Sequence, residues 1–208
     1  MEPGRNRRRA LLLDRDGVIN HDHGYVSTIE RVAFCDGIFE LARRAVDYGY
    51  LIAIITNQSG IARGYYTESQ FHRLSTWMTG VFAGHGVKLA GIFHCPYLPG
   101  ATLPDYDRDS FWRKPHPGMI LEAARRLDLD LPRSLFVGDQ PGDMAAAAAA
   151  GVGGRVLIGP DPSATTTAAN LIIGQLDQLT DRLTPVRGWQ VSGWQVSGWS
   201  EPRTLPGR

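Results

Sequence analysis

Two aspartates separated by a single residue form the pattern in this chain that is best suited to chemistry. Asp14 and Asp16 directly follow the apolar run 9–13, which predicts a buried strand. Side chains just past the carboxyl end of a strand face the ligand crevice of an open α/β sheet. Two carboxylates held close together repel each other unless a cation bridges them or one carboxyl stays protonated. The pair therefore suits a Mg²⁺-dependent nucleophile with a general acid beside it, although two solvated loop acids would give the same pattern.

Three further polar motifs follow this pair along the chain. Thr56–Gly60 comes directly after an apolar run, where a hydroxyl and backbone N–H groups can form a cradle for phosphate. Lys114 precedes a proline that favours an extended conformation, and it can hold a phosphate as a point charge. Asp139 follows another apolar run and can complete an oxygen-rich Mg²⁺ site with Asp14. Each motif alone is common, so the prediction rests on their occurrence together.

The segments that must position these residues alternate between strand-like and helix-like patterns. This alternation predicts an α/β fold with a mostly parallel sheet covered by helices. Asp143 precedes a run of six alanines, where its carboxylate can cap a helix, orient Lys114, or do both. The predicted strands are 9–13, 51–56, 91–95 and 134–138, with 156–158 and 171–173 as candidates for the last strands. The predicted helices are 38–48, one from 67 to about 82 that begins with a capping-box pattern at Thr67–Gln70, one starting near Pro117 with the proline in its first turn, and one carrying 145–150.

Length, charge and cysteine content restrict the class of protein. The 208 residues are enough for one α/β domain with a substantial core, and the formal net charge of +1 does not favour nucleic acid or a membrane surface. No apolar stretch is long enough to cross a bilayer, and the N-terminus lacks a signal-peptide pattern. Cys35 and Cys95 give no disulfide framework. We expect a cytoplasmic monomer that binds a small molecule, without nucleic-acid or membrane partners.

The two ends of the chain differ in composition from the part between them. Residues 1–8 contain a basic run, which predicts a solvated arm, and residues 9–183 hold all the motifs above and are expected to form the domain. Residues 184–208 contain Gly-Trp-Gln-Val-Ser twice, with a third copy beginning at Gly198. Three short copies are too few for a solenoid or a propeller. We expect a disordered, low-complexity extension, with a partner-binding tail as the alternative.

The order of these motifs resembles the haloacid dehalogenase-like (HAD) phosphohydrolases, and most closely their D-glycero-D-manno-heptose-1,7-bisphosphate 7-phosphatase branch, to which histidinol phosphatases are related. The resemblance covers roughly residues 9–180 and implies a HAD-type, Rossmann-like sheet flanked by helices, without a large cap domain. The site would then be fairly open. The motifs that carry the resemblance are Asp14–Asn20, His23–Val26, Thr56–Gly64, Arg113–Met119 and Val137–Asp139.

The resemblance also implies a mechanism through an aspartyl-phosphate. Asp14 would attack phosphorus, and Asp16 would protonate the leaving sugar oxygen and then take a proton from water. Thr56 and Lys114 would stabilise the transferring phosphoryl group. Mg²⁺ would be held by the Asp14 carboxylate, the Asp16 backbone carbonyl and Asp139.

The implied substrate is a heptose bisphosphate that loses its 7-phosphate during synthesis of ADP- or GDP-heptose for surface glycans such as lipopolysaccharide. The residues expected to contact it are Asp22, His23, Gly24, Tyr25, Asn57, Gln58, Ser59, Arg113 and Gln140. Two alternatives remain open. One is a histidinol phosphatase or another small phosphomonoesterase, and the other is a non-catalytic relative that binds a partner.

Two departures from the family pattern bear on the metals and on the substrate. Family members often hold a structural Zn²⁺ with a Cys-x-His pair and a later Cys-x-Cys pair. In this chain Tyr97, Ser110 and Trp112 stand at three of those places, so only Cys95 remains of the ligand set. Because a tetrahedral zinc site needs about four ligands, we predict no zinc. Gln140 stands where heptose members often have lysine, which removes a cation that a second phosphate would use.

Overall fold

The protein is described by a computed structural model over residues 7–159 and 168–183. Within these residues, the strands are β1 (Ala10–Leu13), β2 (Leu51–Asn57), β3 (Leu89–Cys95), β4 (Leu135–Gly138), β5 (Gly154–Ile158) and β6 (Leu171–Ile173). They form one sheet in the order β3-β2-β1-β4-β5-β6, and every paired strand is parallel to its neighbour. The direction in which successive strands are added reverses between β1 and β4, and a parallel α/β sheet places its ligand crevice at such a point.

Helices cover both faces of the sheet because strand residues alternate between two hydrophobic cores. Leu11 and Leu13 of β1 belong to one core, and Ala10 and Leu12 belong to the other. The helices are α1 (Ile38–Asp47), α2 (Ser59–Ala62), α3 (Glu68–Gly84), α4 (Gly118–Leu127), α5 (Pro141–Ala149) and α6 (Asp177–Thr180). The first core contains residues of α1, α3 and α6, and the second contains residues of α4 and α5.

The predicted α/β fold is confirmed, but the structure differs at the ends of elements and adds the short helices α2 and α6, which the sequence patterns do not predict. β3 begins at Leu89, two residues before the predicted start. Pro117 is the N-cap of α4 and does not lie in its first turn. The predicted capping box of α3 is present, since Thr67 Oγ1 accepts from the Gln70 N–H at 3.2 Å and Gln70 Oε1 accepts from the Thr67 N–H at 2.8 Å.

The two ends of the chain are described only in part. Arg7 Nε lies 3.7 Å from Asp128 Oδ1, and Arg8 forms an isolated parallel bridge with Leu129, so the described chain contacts the domain from its first residue on. The predicted tail of residues 184–208 lies outside the described residues, and the boundary after residue 183 stays a prediction. In the described ranges, helices are too short or too polar to cross a membrane.

Candidate active site

The polar residues predicted from sequence come together at the carboxyl edge of the sheet. Asp14 follows β1, Thr56 lies at the end of β2, and Asp139 follows β4, so parallel strands bring them to one place. They border a cavity of about 480 Å³ at the point where the strand order reverses. The cavity is lined by Asp14, Asp16, Asp22, Gly24, Tyr25, Thr56, Asn57, Ser59, Tyr66, Lys114, Asp139, Gln140, Gly142 and Asp143.

Lys114 is the cation at the centre of the site. Its Nζ lies 3.0 Å from Asp14 Oδ1 and 2.7 Å from Asp143 Oδ1, and it donates to the Ile55 carbonyl at 2.9 Å. These three acceptors match the three N–H donors of an ammonium group. Burial alone would lower the pKa of Lys114, but the adjacent carboxylates of Asp14 and Asp143 raise it above its usual value. The lysine is therefore charged and fixed in position.

Three carboxylates around this lysine fit a divalent cation. Oxygen atoms of Asp14, Asp139 and Asp143 lie within 4.8 Å of one another. Burial raises the pKa of Asp14 to about 8 against the opposing charge of Lys114, with the charges of Asp143 and Asp139 adding to the rise. Burial also raises the pKa of Asp139. Both shifts mean that ionising all three carboxylates beside one lysine would leave an excess of negative charge, and this all-oxygen donor set suits a hard cation such as Mg²⁺, which would favour the ionised forms.

Asp143 is the third residue of α5 and not its N-cap, which is Gln140, but its carboxylate completes the capping box of the helix and also contacts Lys114. Its Oδ2 accepts from the Gln140 N–H at 3.1 Å, and its Oδ1 is the atom that contacts Lys114. Both oxygens are thus engaged by the protein, whereas Asp139 Oδ2 accepts only the exposed Gln140 Nε2, at 2.9 Å. Asp139 is therefore the better second cation ligand beside Asp14.

Gly17 lets the turn after β1 approach Asp139. Its φ is +83°, a conformation that L side chains rarely adopt, and a Cβ at this position would overlap the Asp139 carboxylate. Glycine is required here for two independent reasons, one in the backbone and one in the space beside the cation site.

The Asp16 carboxylate is held by three side chains. Arg15, itself buried, donates from Nε and Nη2 to both carboxylate oxygens at 2.8–3.2 Å. Asn20 Nδ2 donates to Oδ1 at 3.0 Å, and Gln58 Nε2 donates to Oδ2 at 3.1 Å. Tyr66 in turn donates from its hydroxyl to Gln58 Oε1 at 2.6 Å. Asp16 consequently has one fixed orientation beside the cavity.

Asn57 joins β2 to the loop that carries Lys114. Its Nδ2 donates to the Lys114 carbonyl at 3.0 Å, and its Oδ1 accepts from the Lys114 N–H at 3.1 Å. The Lys114–Pro115 peptide bond is cis. Asn57 therefore positions the lysine as well as lining the cavity.

The structure brings most of the predicted substrate residues to the cavity. Asp22, Gly24, Tyr25, Asn57, Ser59 and Gln140 line it, but His23, Gln58 and Arg113 do not. His23 lies in an exposed loop, and its backbone carbonyl accepts a hydrogen bond from Arg31 Nη2 at 3.0 Å. Gln58 is buried behind Asp16, and Arg113 Nη1 donates to the Tyr97 carbonyl, at 3.4 Å.

Sequence reasoning missed Arg15, Asn20, Tyr66 and Gly142 as parts of the site. Arg15 and Asn20 carry a usable signal, because they lie within the motif that begins at Asp14. No local pattern marks Tyr66, which is brought to Gln58 by the turn between α2 and α3.

Cys95 lies outside the clusters of potential metal ligands found in the described residues. It is buried in the core beneath α4, and this burial raises the pKa of its thiol. Trp112, at the place of a family cysteine, is partly exposed. The absence of a zinc ion at this loop stays a prediction.

Comparison with known proteins relates this geometry to a family. Residues 111–168 match a HAD-hydrolase-like family model. A D-glycero-alpha-D-manno-heptose-1,7-bisphosphate 7-phosphatase from Burkholderia mallei is 52% identical over 166 residues, covering 79% of this chain and 88% of the relative. The corresponding beta-anomer enzyme from Photorhabdus laumondii is 45% identical over 173 residues, covering 82% and 92%.

A solved structure has the same fold and a related sequence. It is the D,D-heptose 1,7-bisphosphate phosphatase from B. bronchiseptica, complexed with magnesium and phosphate. The TM-score is 0.69 at 29% sequence identity, and the match covers 83% of this chain and 96% of that chain.

Proposed function

The chain belongs to the D-glycero-D-manno-heptose-1,7-bisphosphate 7-phosphatases of the HAD-like phosphatases, and from this we propose that it removes the 7-phosphate of that sugar through an aspartyl-phosphate on Asp14. The observation that carries the proposal is the contact of Asp14 with Lys114 beside Asp16 and Thr56, at an open cavity on the carboxyl edge of the sheet. The product would supply activated heptose for surface glycans.

Asp14 is the proposed nucleophile. Its Oδ1 accepts from the Arg15 N–H at 2.7 Å and lies 3.0 Å from Lys114 Nζ, which fixes the rotation of the carboxylate. A carboxylate oxygen bonds to phosphorus while the bond from phosphorus to the sugar oxygen breaks. Asp16 gives its proton to that leaving oxygen. In the second step Asp16 takes a proton from water, the water oxygen bonds to phosphorus, and the bond from phosphorus to Asp14 breaks, which releases phosphate and free Asp14.

Thr56 and Lys114 would stabilise the phosphoryl group during transfer. Gln58 Nε2 donates to Thr56 Oγ1 at 2.8 Å, so the proton of the Thr56 hydroxyl is left to donate elsewhere. A phosphoryl oxygen in the cavity is a suitable acceptor, and Lys114, which also lines the cavity, supplies positive charge.

Asp14, Asp139 and the Asp16 backbone carbonyl would hold Mg²⁺. When bound, the ion offsets the negative charge of the phosphate, which allows an anionic nucleophile to approach it. The excess of carboxylates over cations at this site supports the assignment.

Cys35 and Cys95 are free thiols, which agrees with a reducing cytoplasm. We also propose that the enzyme is a monomer with only a small-molecule substrate, which size-exclusion chromatography tests.

Phosphate release from three substrates in the presence of Mg²⁺ tests the proposed function. The substrates are the alpha and beta anomers of the heptose bisphosphate and histidinol phosphate. We expect kcat/KM for one heptose anomer to exceed that for histidinol phosphate by at least about 100-fold. A preference for histidinol phosphate would contradict the substrate, and no turnover of any phosphate ester would contradict the activity.

A further inference from the structure

A second cluster of potential metal ligands lies away from the cavity, where α3 packs beside β3. Glu68 and His72 are one helical turn apart on α3, and His94 lies on β3. One ligand atom from each residue lies within 4.8 Å of the others, and His72 Nε2 is 4.0 Å from Glu68 Oε2. None of the three lines the active-site cavity.

The side-chain alternation of β3 separates this cluster from Cys95. Phe93 and Cys95 belong to the core beneath α4, whereas His94 faces α3, with its ring centroid 4.3 Å from that of Phe71 and 5.4 Å from that of His72. Burial lowers the pKa of His94, with the charge of His72 acting in the same direction. The uncharged ring that this burial favours is the form that binds a metal.

Tyr106 orients the carboxylate of the cluster. Its hydroxyl donates to Glu68 Oε1 at 2.9 Å, and the other oxygen of Glu68 is the one that lies nearest His72. Metal-binding carboxylates in proteins are commonly held in this way by a hydrogen bond from outside the ligand set. Glu68 thus has one oxygen used by the protein and one available to an ion.

From this geometry we infer that Glu68, His72 and His94 form a binding site for a divalent transition-metal ion of the Zn²⁺ class. Two imidazoles and one carboxylate favour such an ion over Mg²⁺, which prefers oxygen ligands. Two ligands about 2.1 Å from one ion lie at most about 4.2 Å apart, so the side chains must close by a fraction of an ångström. The His72 side chain is 61% exposed and has room to do so.

A bound ion would tie together three segments on this side of the molecule. Glu68 and His72 belong to α3, His94 belongs to β3, and Tyr106 belongs to the loop between β3 and α4. Tyr106 also packs against the small core of Ile61, Tyr66 and Phe71. The ion would stabilise the folded state by linkage to these contacts. This site is separate from the proposed phosphatase function.

Zn²⁺ binding to the full-length protein tests the inference. The protein is stripped with a chelator, saturated with Mg²⁺ to occupy the carboxylate site, and titrated with Zn²⁺ against a chromophoric indicator without substrate. We expect His72→Gln to bind one equivalent of Zn²⁺ fewer than the wild type. His85→Gln, which changes an exposed histidine just past the end of α3, should bind as the wild type does. Tyr106→Phe keeps all three ligands but removes the hydrogen bond that orients Glu68. It should therefore weaken Zn²⁺ binding by about 10- to 100-fold without abolishing it.

Thermal melts give a second readout. Zn²⁺ should raise the Tm of the wild type and of His85→Gln, but not that of His72→Gln. Equal Zn²⁺ binding by the wild type and His72→Gln would overturn the inference, and so would an equal loss in the two histidine variants. Because no substrate is present, failure of the proposed phosphatase activity and failure of this site give distinguishable results.

Discussion

At the scale of single residues, the site depends on how Asp14 and Asp16 are held differently. Asp14 contacts Lys114 and lies beside two further carboxylates. The Asp16 carboxylate instead accepts hydrogen bonds from Arg15 and Gln58. These neighbours favour a nucleophile and cation ligand in the first case and an oriented proton carrier in the second. Identical side chains two positions apart thus have different proposed chemistry because their surroundings differ.

Asp14→Asn tests the nucleophile. We expect turnover to fall by about 10³-fold or more, because an amide oxygen does not form the phosphoryl-enzyme. The fold should persist, since asparagine keeps the shape of the side chain, and circular dichroism checks this. Substantial residual phosphatase activity in a folded variant would contradict the assignment.

Tyr66→Phe tests whether the hydroxyl behind Gln58 positions Asp16. The variant removes the donor to Gln58 Oε1 and frees the amide that holds Asp16. We expect kcat to fall about 10-fold with little change in KM, and the pH profile of kcat to shift, because Asp16, the proposed proton carrier, is less well oriented. Tyr65→Phe, at an exposed neighbouring tyrosine, is the matched control and should keep the wild-type kcat and pH profile.

Gly17→Ala tests the contact between the turn after β1 and Asp139. Both Gly17 and Gly49 have positive φ, but only at Gly17 would a Cβ overlap the Asp139 carboxylate, and nothing lies near the Cβ position at Gly49. Each alanine should lower the free energy of unfolding by about 1–2 kcal/mol. Only Gly17→Ala should also weaken Mg²⁺ binding, measured by calorimetry. Equal Mg²⁺ affinity in the two variants would show that Asp139 is not displaced.

At the scale of elements, the sequence predicts the site where residues follow strands and fails where they meet across turns. Asp14, Thr56 and Asp139 could be placed together because parallel strands end at one edge of a sheet. Gln58 was expected to contact substrate, but the chain turns into α2 at that point and buries it behind Asp16. Tyr66 lies two residues past the Thr56–Gly64 motif and reaches Gln58 because the chain folds back after α2, so no local pattern marks it.

The N-terminal cap of α3 is a local element feature that the sequence did reveal. Thr67→Ala removes the Oγ1 that accepts from the Gln70 N–H, and we expect the free energy of unfolding to fall by about 1 kcal/mol in urea titrations. Activity should be unchanged, because Thr67 lies outside the cavity lining. Thr76→Ala in the middle of the same helix is the control. It should not destabilise the protein, since alanine is the better helix former, and a loss as large as that of Thr67→Ala would contradict the cap as the cause.

At the scale of the whole molecule, the buried charge cluster links stability to pH and to cations. The raised pKa of Asp14, about 8, means that the folded protein holds a proton which the unfolded chain loses near pH 4. Without divalent cations, this group contributes stability below pH 4, and that stability is lost as pH rises towards 8. A divalent cation binds the site in place of this proton. Because the proton is lost more easily at higher pH, the stabilisation by the cation must grow with pH.

Melting temperatures measured from pH 5 to pH 9, with and without Mg²⁺, check this linkage. We expect the rise in Tm caused by Mg²⁺ to be larger at pH 8 than at pH 5. Asp14→Asn has no such proton and should show a smaller pH dependence in the absence of Mg²⁺. A rise in Tm that is independent of pH in the wild type would contradict the raised pKa of Asp14.

The sheet consists of two halves that meet along a single ladder, and this affects when the protein can first act during synthesis. β3-β2-β1 carries Asp14, Asp16 and Thr56, while Asp139 follows β4, which pairs with β1 from Leu11 to Leu13. A nascent chain that ends before residue 114 has the acidic pair but neither Lys114 nor Asp139. Such a chain is expected to be inert towards phosphate esters, so phosphatase activity appears only after the ribosome has delivered the second half of the sheet.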